Sequence, residues 1–479
     1  MAIAKKEAGT PQSVAVVGAG PVGALAALYM AQLGWRVSLY EARSDIRKEQ
    51  VYHGRSINLA LSTRGILALR GTKLNLDEEV LREAIPMRGR MIHDQHGRQS
   101  SQAYGVHGEA SRWTYINSVD RGKLNCRLLD AAEKHPNIKL KFGHKVVHCQ
   151  PDLGALVVET GTDDARETFT ISHDFIIGAD GAFSTIRRAL MRCTRMDYQQ
   201  AYIPHCYREL TIQARVDAEG NRSFAMDPYH LHIWPKMSYM MIALPNTDQS
   251  FTCTLFMPQE KFDAIRSQQQ LVEFFQQEFP DAYELIGRES LCEEYFRNPL
   301  GSLISIKCKP YHYQDKMVII GDAAHSMVPF YGQGMNAGME DVMILQEMLL
   351  RYQNSLSDAL DAYTALRHDD AVAICDLAMY NYVEMRAHVH SPVYRARKAI
   401  EGVLYRLMPS YVVPLYTMVS FTTIRYSEAT RRSQRQGRWI YIASGVALAV
   451  TLGLAFAATT ISLSHHHRRH RQQAPTSAA

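Results

Sequence analysis

Short apolar runs alternate with a longer helical stretch at the start of the chain. Val14 to Val17 form the first run, Ala24 to Leu33 a stretch of small apolar residues, and Val37 to Tyr40 a second run. Continuous apolar runs of this length are typical of parallel strands that are covered on both faces, and the longer stretch favours a helix. The pattern therefore predicts a strand–helix–strand unit that opens an α/β fold.

Two later segments repeat the order of apolar strand, glycine turn and helix. One is "DFIIGADGAFSTIRRAL" from Asp174 to Leu190, and the other is "GDAAHSMVPFYGQGMNAGMED" from Gly321 to Asp341, which follows the apolar "KMVII". Residues 195–300 contain alternating segments such as "SFTCTLFMP", which predict a sheet, and residues 360–430 favour helices with a polar face. We expect an α/β domain, a second β-sheet domain and a helical C-terminal segment.

The apolar pattern changes again near the C-terminus. Trp439 to Leu463, "WIYIASGVALAVTLGLAFAATTISL", is 25 residues without a charge. Such a helix is roughly 37 Å long and can cross a hydrocarbon core of about 30 Å, whereas buried core helices are usually shorter and carry a polar stripe. Arginines precede it in "RRSQRQGR", and residues 464–479 form a short basic tail. We predict a transmembrane tail anchor in contact with membrane lipid. Its Ala- and Thr-rich composition favours the mitochondrial outer membrane, with the rest of the chain facing the cytosol.

Composition narrows the class of protein. A net charge of +5 is small for 479 residues and does not indicate a nucleic-acid partner. The eight cysteines are scattered, without a C-x-x-C pair or metal-ligand spacing, so we expect reduced thiols and no metal site. The N-terminal "MAIAKKEAGTPQS" has no apolar core and does not resemble a secretory signal.

Three glycines give the first strand–helix–strand unit its chemistry. Gly18, Gly20 and Gly23 form G-x-G-x-x-G between strand and helix. The first glycine allows a tight turn, the second lets the backbone approach a pyrophosphate, and the third allows close packing of helix and strand. Glu41 ends the second strand, where a carboxylate can accept hydrogen bonds from ribose hydroxyls. The unit therefore predicts a single Rossmann-like dinucleotide site.

The three glycine turns together resemble those of the flavin-dependent aromatic hydroxylases, the p-hydroxybenzoate hydroxylase-like superfamily. No second G-x-G-x-x-G follows a strand, so the resemblance implies FAD as the bound cofactor and NADPH as a transient reductant. Longer motifs are similar to those of the kynurenine 3-monooxygenase family, and the resemblance covers residues 13–426. Among them are "RSINLALSTRG" (55–65), "IPMRGRMIH" (85–93), "HLHIWP" (230–235), "MYNYVEMRAHV" (379–389) and "PLYTMV" (414–419).

The resemblance implies FAD contacts along the whole cofactor. In that family the Asp of the second Gly–Asp turn, here Asp322, binds ribityl and ribose hydroxyls, and the "GQGMNAG" turn covers the flavin ring. The implied cofactor-binding residues are Gly18, Gly20, Val22, Gly23, Tyr40, Glu41, Ala42, Arg43, Ala60, Arg121, Val146, Thr185, Asp322, Met335 and Asn336.

The resemblance also implies the reaction, in which L-kynurenine, NADPH and O₂ give 3-hydroxy-L-kynurenine through a C4a-hydroperoxyflavin, on the route from tryptophan to NAD. Its substrate-binding residues correspond to Arg90, Tyr104, Asn381 and Tyr416. An arginine suits the amino-acid carboxylate because its guanidinium can donate two parallel hydrogen bonds. The cofactor carries the chemistry, so no catalytic side chain is expected. Three alternatives remain: hydroxylation of another aromatic amino acid or aryl carboxylate, a non-catalytic flavin-bearing membrane scaffold, and a redox sensor.

We expect the FAD-binding domain to be discontinuous, with residues 13–75, 105–190 and 300–355 contributing to it. Residues 76–104 and 195–300 should form the sheet domain over the substrate, and residues 360–430 the helical domain that closes the pocket. We expect residues 439–463 to form the transmembrane helix and residues 464–479 the short basic tail.

Overall fold

The computed structural model describes backbone at residues 12–48, 58–104, 114–161, 165–353, 355–386, 392–409 and 411–472. Within those ranges, the side chains of residues 392–396, 444, 446–448, 455, 458 and 461–472 are not described. Several predicted segments fall partly outside these ranges: residues 55–57, 105–113, 387–389 and 473–479.

The strands and helices follow one another along the described chain. The first half contains β1 (Ser13–Val17), α1 (Pro21–Gln32), β2 (Arg36–Glu41), β3 (Leu59–Leu61), α2 (Thr63–Gly71), α3 (Leu76–Glu83), β4 (Ile85–Met87), β5 (Gly89–His93), β6 (Gln99–Ala103), β7 (Ile116–Val119), α4 (Arg121–Glu133), β8 (Ile138–Phe142), β9 (Lys145–Gln150), β10 (Ala155–Thr160), β11 (Glu167–Ser172), β12 (Phe175–Gly178) and α5 (Thr185–Cys193). The second half contains β13 (Asp197–Ile212), β14 (Arg215–Val216), β15 (Arg222–Ser223), β16 (His230–Pro235), β17 (Met240–Pro245), β18 (Phe251–Pro258), α6 (Gln259–Ala264), α7 (Gln268–Glu278), α8 (Pro280–Ile286), α9 (Arg288–Arg297), β19 (Gly301–Lys309), β20 (His312–Tyr313), β21 (Met317–Ile319), α10 (Asp322–His325), α11 (Gly334–Arg351), α12 (Leu356–Arg386), α13 (Pro392–Leu407), α14 (Leu415–Phe421) and α15 (Tyr426–Gln472).

A six-stranded sheet carries the glycine turns. Its order is β20-β21-β12-β1-β2-β8, and the pairs are parallel except for that of β20 with β21. Strands β1, β12 and β21 are almost wholly buried, as their continuous apolar sequences predict. Their carboxyl ends meet at one edge of the sheet, so the turns after β1, β12 and β21 lie together. This confirms the predicted α/β fold.

A seven-stranded sheet forms a second layer, with the order β19-β13-β18-β17-β16-β5-β6. Strands β5 and β6 belong to it, as expected for residues 76–104, but β4 pairs with β7 in a small sheet instead. Strand β19 pairs with β13, although the sequence places residues 300–355 in the FAD-binding domain. Nearly all of β18 is buried, so its alternating sequence does not mark one solvent-facing side.

Four helices that the sequence analysis did not anticipate, α6 to α9, follow β18. Leu271, Val272 and Phe275 lie at helical spacing on α7 and pack with buried residues of β13, β17 and β18. These helices therefore cover one face of the second sheet. Helices α12, α13 and α14 confirm the predicted helical character of the described part of residues 360–430.

Contacts divide the chain into two compact units, one ending at Ser427 and the other beginning at Glu428. The predicted division of the first unit into FAD, sheet and helical domains stays a prediction. In the second unit, α15 continues as one helix through the segment predicted to span a membrane. Among the residues whose side chains the structure describes, no helix combines the length and apolar character needed to cross a bilayer.

Candidate active site

One cavity of about 270 Å³ lies where the glycine turns meet the second sheet. Its lining includes eight of the predicted site residues: Gly20, Val22, Ala60, Arg90, Arg121, Asp322, Met335 and Tyr416. The other predicted residues lie outside this lining: Gly18, Gly23, Tyr40, Glu41, Ala42, Arg43, Tyr104, Val146, Thr185, Asn336 and Asn381. The structure thus brings predicted cofactor-binding and substrate-binding residues to one space.

The first glycine turn has the geometry that its sequence requires. Gly18 has φ +97°, and a Cβ on it would lie 2.5 Å from the carbonyl oxygen of Ala179. A Cβ on Gly23 would collide with the carbonyl oxygen of Gly18, whereas one on Gly20 would meet nothing within 4 Å. Gly20 therefore leaves open space beside the first turn of α1, where the N–H groups can approach a pyrophosphate.

The residues around the end of β2 form a polar edge next to that turn. Glu41 Oε2 accepts a hydrogen bond from the backbone N–H of Ala19 at 2.9 Å, and its Oε1 accepts one from Arg43 at 3.1 Å. Ala42 and Arg43 are exposed, while the Tyr40 ring is buried with its hydroxyl 3.1 Å from His173 Nε2. Both carboxylate oxygens of Glu41 thus accept backbone N–H groups, Tyr40 contributes packing, and the predicted cofactor contacts of residues 40–43 stay predictions.

Val146 and Thr185 lie farther from the cavity. The Val146 side chain is part of the apolar core around the first sheet. Thr185 opens α5, where its N–H donates to Asp180 Oδ2 at 2.6 Å and its hydroxyl accepts from Arg188 at 2.9 Å. Their predicted cofactor contacts stay predictions.

The second Gly–Asp turn places a carboxylate and a cation in the cavity. Asp322 follows Gly321, which has φ +58°, and its side chain is open to the cavity beside Arg121 at the start of α4. Withdrawal from bulk water raises the pKa of the Asp322 carboxyl, and the positive charge of Arg121 opposes that shift. The pair offers one acceptor for hydroxyl groups and one counter-charge for a phosphate.

The turn before α11 is held in place by an amide side chain. Asn336 is buried, and its Oδ1 accepts from the Ser62 N–H at 2.9 Å. Its Nδ2 donates to the carbonyl oxygens of Ala60 at 2.7 Å and Gly332 at 2.8 Å. The side chain of Asn336 therefore ties the turn to β3, while Met335 next to it lines the cavity.

A buried charge network supports both glycine turns from behind. The Asp341 carboxylate accepts from the Gly321 N–H at 2.8 Å and from Arg367 Nε at 2.5 Å, and lies 2.6 Å from His325 Nε2. Burial opposes ionisation of Asp341, but His325 and Arg367 outweigh it and hold the pKa of that carboxyl below its usual range. His325 is thus engaged in fixing the turn, which fits a structural role better than a catalytic one.

An arginine that lines the cavity packs against a stack of tyrosine rings. The ring of Tyr416 stacks on Tyr331 at 5.3 Å and on Tyr104 at 5.0 Å between centroids, with interplanar angles of 17° and 14°. The guanidinium carbon of Arg90 lies 4.6 Å from the Tyr416 ring centroid. Three residues predicted to bind substrate, from β5, the end of β6 and α14, are therefore in mutual contact.

Asn381 lies behind the lining of the cavity, and its predicted substrate contact stays a prediction. It is buried on α12, and its Nδ2 donates to the carbonyl oxygen of Phe330 at 2.6 Å. Phe330 lines the cavity, so Asn381 fixes a wall rather than forming part of it.

The structure adds residues that the sequence analysis did not single out. Glu384 Oε1 lies 4.0 Å from Arg90 Nη1, and Tyr331 joins the tyrosine stack. Apolar side chains of the second sheet complete the wall: Leu231, Met240, Ile242, Leu244 and Phe256. The apolar positions of β16 to β18 could have suggested such a wall, but the pairing of Glu384 with Arg90 has no local sequence signal.

Three observations indicate that the residues present suit FAD. Among the described residues, no side chain caps the first turn of α1 or α11, so both helices present unbonded N–H groups near the cavity. Gly20 leaves room for a close backbone approach, and Arg121 supplies positive charge. These features suit a cofactor with phosphates, a flavin ring and hydroxyl groups, and the contact predicted for each residue stays a prediction.

Comparison with known proteins gives the same assignment. The profile of the family described as "FAD binding domain" matches residues 12–378. The chain is 46% identical over 428 residues to kynurenine 3-monooxygenase of Sus scrofa, covering 89% of this chain and 88% of that one. It is 48% identical over 436 residues to kynurenine 3-monooxygenase of Yarrowia lipolytica, covering 89% and 92%.

Solved structures agree at the level of fold. 2-Methyl-3-hydroxypyridine-5-carboxylic acid oxygenase superposes with a TM-score of 0.62 at 19% identity, covering 81% of this chain and 95% of that one. p-Nitrophenol 4-monooxygenase PnpA from Pseudomonas putida superposes with a TM-score of 0.61 at 17% identity, covering 82% and 94%. The predicted family and its FAD-binding domain are therefore confirmed: the chain belongs to the kynurenine 3-monooxygenase family.

Proposed function

We propose that this chain hydroxylates L-kynurenine to 3-hydroxy-L-kynurenine, using FAD as bound cofactor and NADPH and O₂ as co-substrates. One observation carries the proposal: Arg90 and Tyr416 line the same cavity as residues of the predicted FAD-binding turns, and the Arg90 guanidinium packs on the Tyr416 ring. A zwitterionic aromatic amino acid needs a cation for its carboxylate and flat surfaces for its ring, and both are present here.

The residues of the chain bind and orient the substrate and exclude water from its ring. Arg90 holds the substrate carboxylate, and Tyr416 and Tyr104 keep the guanidinium in position. Phe256, Phe330 and the other apolar residues of the wall exclude water from the ring that reacts. The N-terminus of α11 stabilises negative charge that develops on the flavin ring. FAD, when bound, takes hydride from NADPH and supplies the electrophilic oxygen derived from O₂.

Reduction of the flavin requires a second nucleotide that binds transiently. The chain has one G-x-G-x-x-G turn, and that turn is used by FAD in this proposal. NADPH would therefore bind without a nucleotide-binding fold of its own, give up hydride to the flavin and leave.

We also propose that residues 439–463 anchor the protein in the mitochondrial outer membrane, with the active site in the cytosol. The support comes from the sequence, which has 25 uncharged residues between two basic segments, and a bilayer-spanning helix of that length is expected to be stable in lipid.

Anaerobic reduction of the flavin tests the reaction. NADPH should bleach the FAD absorbance of the purified protein slowly alone and much faster with L-kynurenine. After oxygen is admitted, 3-hydroxy-L-kynurenine should form. A flavoprotein scaffold would show no stimulation by L-kynurenine, and a hydroxylase for another substrate would respond instead to a different member of a panel of aromatic amino acids and aryl carboxylates.

A further inference from the structure

Helix α13 and the residues just after it expose a continuous apolar stripe. Ile400 is 44% exposed, Val403 53%, Leu407 73%, Met408 43% and Tyr411 78%. Ile400, Val403 and Leu407 are three or four residues apart, so they share one side of the helix, and Met408 and Tyr411 follow its end. Large apolar side chains exposed together in this way are unusual on a soluble surface and mark a site of interaction.

The charged residues of the helix are mostly basic. Residues 392–407 contain Arg395, Arg397, Lys398 and Arg406, and Glu401 is their one acid. Glu401 is already paired, because its Oε2 lies 3.2 Å from Lys398 Nζ. The helix therefore combines an apolar stripe with an excess of positive charge.

We propose that α13 lies in the headgroup region of an anionic membrane, with Ile400, Val403 and Leu407 buried among the acyl chains. An amphipathic helix with basic flanks binds such an interface by apolar burial and by attraction to anionic lipid. The positive charge of α13 favours an anionic membrane over a second copy of this chain. A second copy would bring the same cationic helix, and the two would repel each other. The inference extends the proposed membrane anchoring, because it adds a surface contact upstream of residues 439–463.

The contact has a consequence for the active site. In the order of the chain, α13 follows α12, which carries Asn381 and Glu384, and precedes α14, which carries Tyr416. A membrane contact at α13 would therefore lie next in the chain to two helices that carry residues of the candidate active site. The partner proposed for α13 is a lipid surface.

A site-specific fluorophore in the full-length holoprotein tests the proposal. Val403→Cys and Leu407→Cys are labelled with the environment-sensitive dye NBD and mixed with vesicles of phosphatidylcholine and phosphatidylserine. Gly402→Cys is the matched control, because it lies on the opposite side of the helix and its Cβ would meet nothing within 4 Å. The unsubstituted protein, labelled in parallel, corrects for native thiols.

We expect the emission at residues 403 and 407 to shift to the blue and to be lost when the phosphatidylcholine carries brominated acyl chains, while the emission at residue 402 is retained. Emission at residue 403 that is shifted but not quenched would mean that protein covers the stripe, either a second copy or another part of this chain, and would overturn the proposal.

Flotation of the same samples separates this inference from the tail anchor. If the protein floats with the vesicles but shows no quenching at residue 403, the result supports the tail anchor and contradicts the contact of α13. Quenching at residue 403 together with release by high salt supports the helix contact and rejects the anchor. Protein that does not float at all rejects both.

Discussion

Arg90 lies between two partners of different kinds. Its guanidinium faces the Tyr416 ring at 4.6 Å, and its Nη1 is 4.0 Å from the Glu384 carboxylate. Both charged side chains are largely buried. An incoming substrate carboxylate therefore meets a cation that is oriented in advance, and the substrate ammonium group would meet Glu384 close by.

Substitution of this arginine should uncouple substrate binding from cofactor binding. Arg90→Met leaves the Glu384 carboxylate and the substrate carboxylate without a counter-charge. Breaking a buried pair typically costs about 3–5 kcal/mol, equivalent to about two to four decades in affinity. We expect the Kd for L-kynurenine, measured from the perturbation of the flavin spectrum, to rise by that factor while FAD content is unchanged.

Arg88 is the matched control for Arg90. It is exposed and faces the Tyr115 ring at 6.0 Å. Arg88→Met should change the Kd much less, and Arg90→Lys should recover part of the binding because an ammonium cannot donate two parallel bonds. Loss of binding in Arg88→Met with binding kept in Arg90→Met would show that the residue assignment is wrong.

A chain of buried side chains on the second sheet makes stability depend on pH. His93 Nδ1 lies 2.6 Å from Asp281 Oδ2, His93 Nε2 lies 2.8 Å from His232 Nδ1, and His232 Nε2 lies 2.8 Å from the Asp227 carbonyl oxygen. A carbonyl can only accept, so His232 donates from Nε2 and accepts at Nδ1. His93 then donates at Nε2, and its Nδ1 faces the Asp281 carboxylate.

We expect the protein to lose stability as the pH falls from about 6.5 to about 4. Burial lowers the pKa of His232 to about 4, so the folded protein keeps it neutral where the unfolded chain binds a proton. The loss is on the order of 3 kcal/mol at the acid end of that window. Thermal melting across this pH range measures it. His232→Gln, which cannot titrate, should flatten the acid side of the profile; an unchanged profile would contradict the prediction.

At the scale of elements, the turn between β1 and α1 separates two roles of glycine. Gly18→Ala places a Cβ against the Ala179 carbonyl at φ +97°, a backbone strain of about 1–3 kcal/mol plus the clash. Gly20→Ala meets no protein atom within 4 Å. We expect Gly18→Ala to lower the melting temperature of the protein stripped of FAD.

Gly20→Ala should leave that melting temperature unchanged and still weaken FAD binding, because its methyl group occupies the space beside the first turn of α1. Fluorescence titration of the apoprotein with FAD measures the affinity. Unchanged FAD affinity in Gly20→Ala would show that the pyrophosphate does not approach this turn.

The start of α15 is connected to the flavin-binding turn through its first residue. The Tyr426 hydroxyl donates to Gln333 Oε1 at 2.9 Å, and Gln333 is the N-cap residue of α11. Arg64 packs over the Tyr426 ring at 3.9 Å and pairs with Glu340, which also accepts from Arg367 at 2.7 Å. Helices α2, α11, α12 and α15 therefore meet at one buried group of charges.

Tyr426→Phe keeps the ring between the arginines and removes the hydroxyl. Gln333 then loses a buried partner, which typically costs about 1–3 kcal/mol. We expect FAD affinity to fall by on the order of tenfold, with the enzyme still folded, as judged by circular dichroism. Tyr441→Phe, an exposed tyrosine of the same helix, is the control and should have no effect. Equal FAD affinity in both variants would show that the cap residue does not influence the cofactor.

At the scale of the whole molecule, the boundary between the two compact units sets where the chain can be cut. Deletion of residues 432–479 keeps Tyr426 and the Ser427 hydroxyl, which donates to Asp370 at 2.6 Å. We expect this truncated protein to retain FAD and, in high salt that also releases α13, to leave the membranes to which the full chain is expected to stay attached.

A longer deletion provides the comparison for that truncation. Removing residues 424–479 also removes the Arg425 pair with Asp370 at 2.8 Å and the contacts of Tyr426. FAD content, measured after gel filtration, should fall in the longer deletion and not in the shorter. Loss of FAD in both would show that the C-terminal helix supports the fold along its length.

Several features could be predicted from short stretches of sequence. The G-x-G-x-x-G turn, the Gly–Asp turns and the buried strands before them depend on backbone geometry within a few consecutive residues, so local sequence specifies them. The membrane segment follows in the same way from 25 consecutive residues, and it stays a prediction. The expected grouping of Arg90, Tyr104 and Tyr416 came from a family resemblance, and the structure shows these three in contact.

Other features depend on residues far apart in the chain. Asn381 was expected to bind substrate, which stays a prediction, and its amide nitrogen donates to the Phe330 carbonyl oxygen, a partner 51 residues away that no local pattern indicates. Glu384 meets Arg90, and Arg64 and Arg367 share Glu340, across separations for which no local pattern exists. Hydrophobic periodicity shows which face of an element is buried, but not which element covers it. The partners of buried charges were therefore set by the packing of the sheets and helices, since a buried charge is stable only where a distant segment supplies its counter-charge.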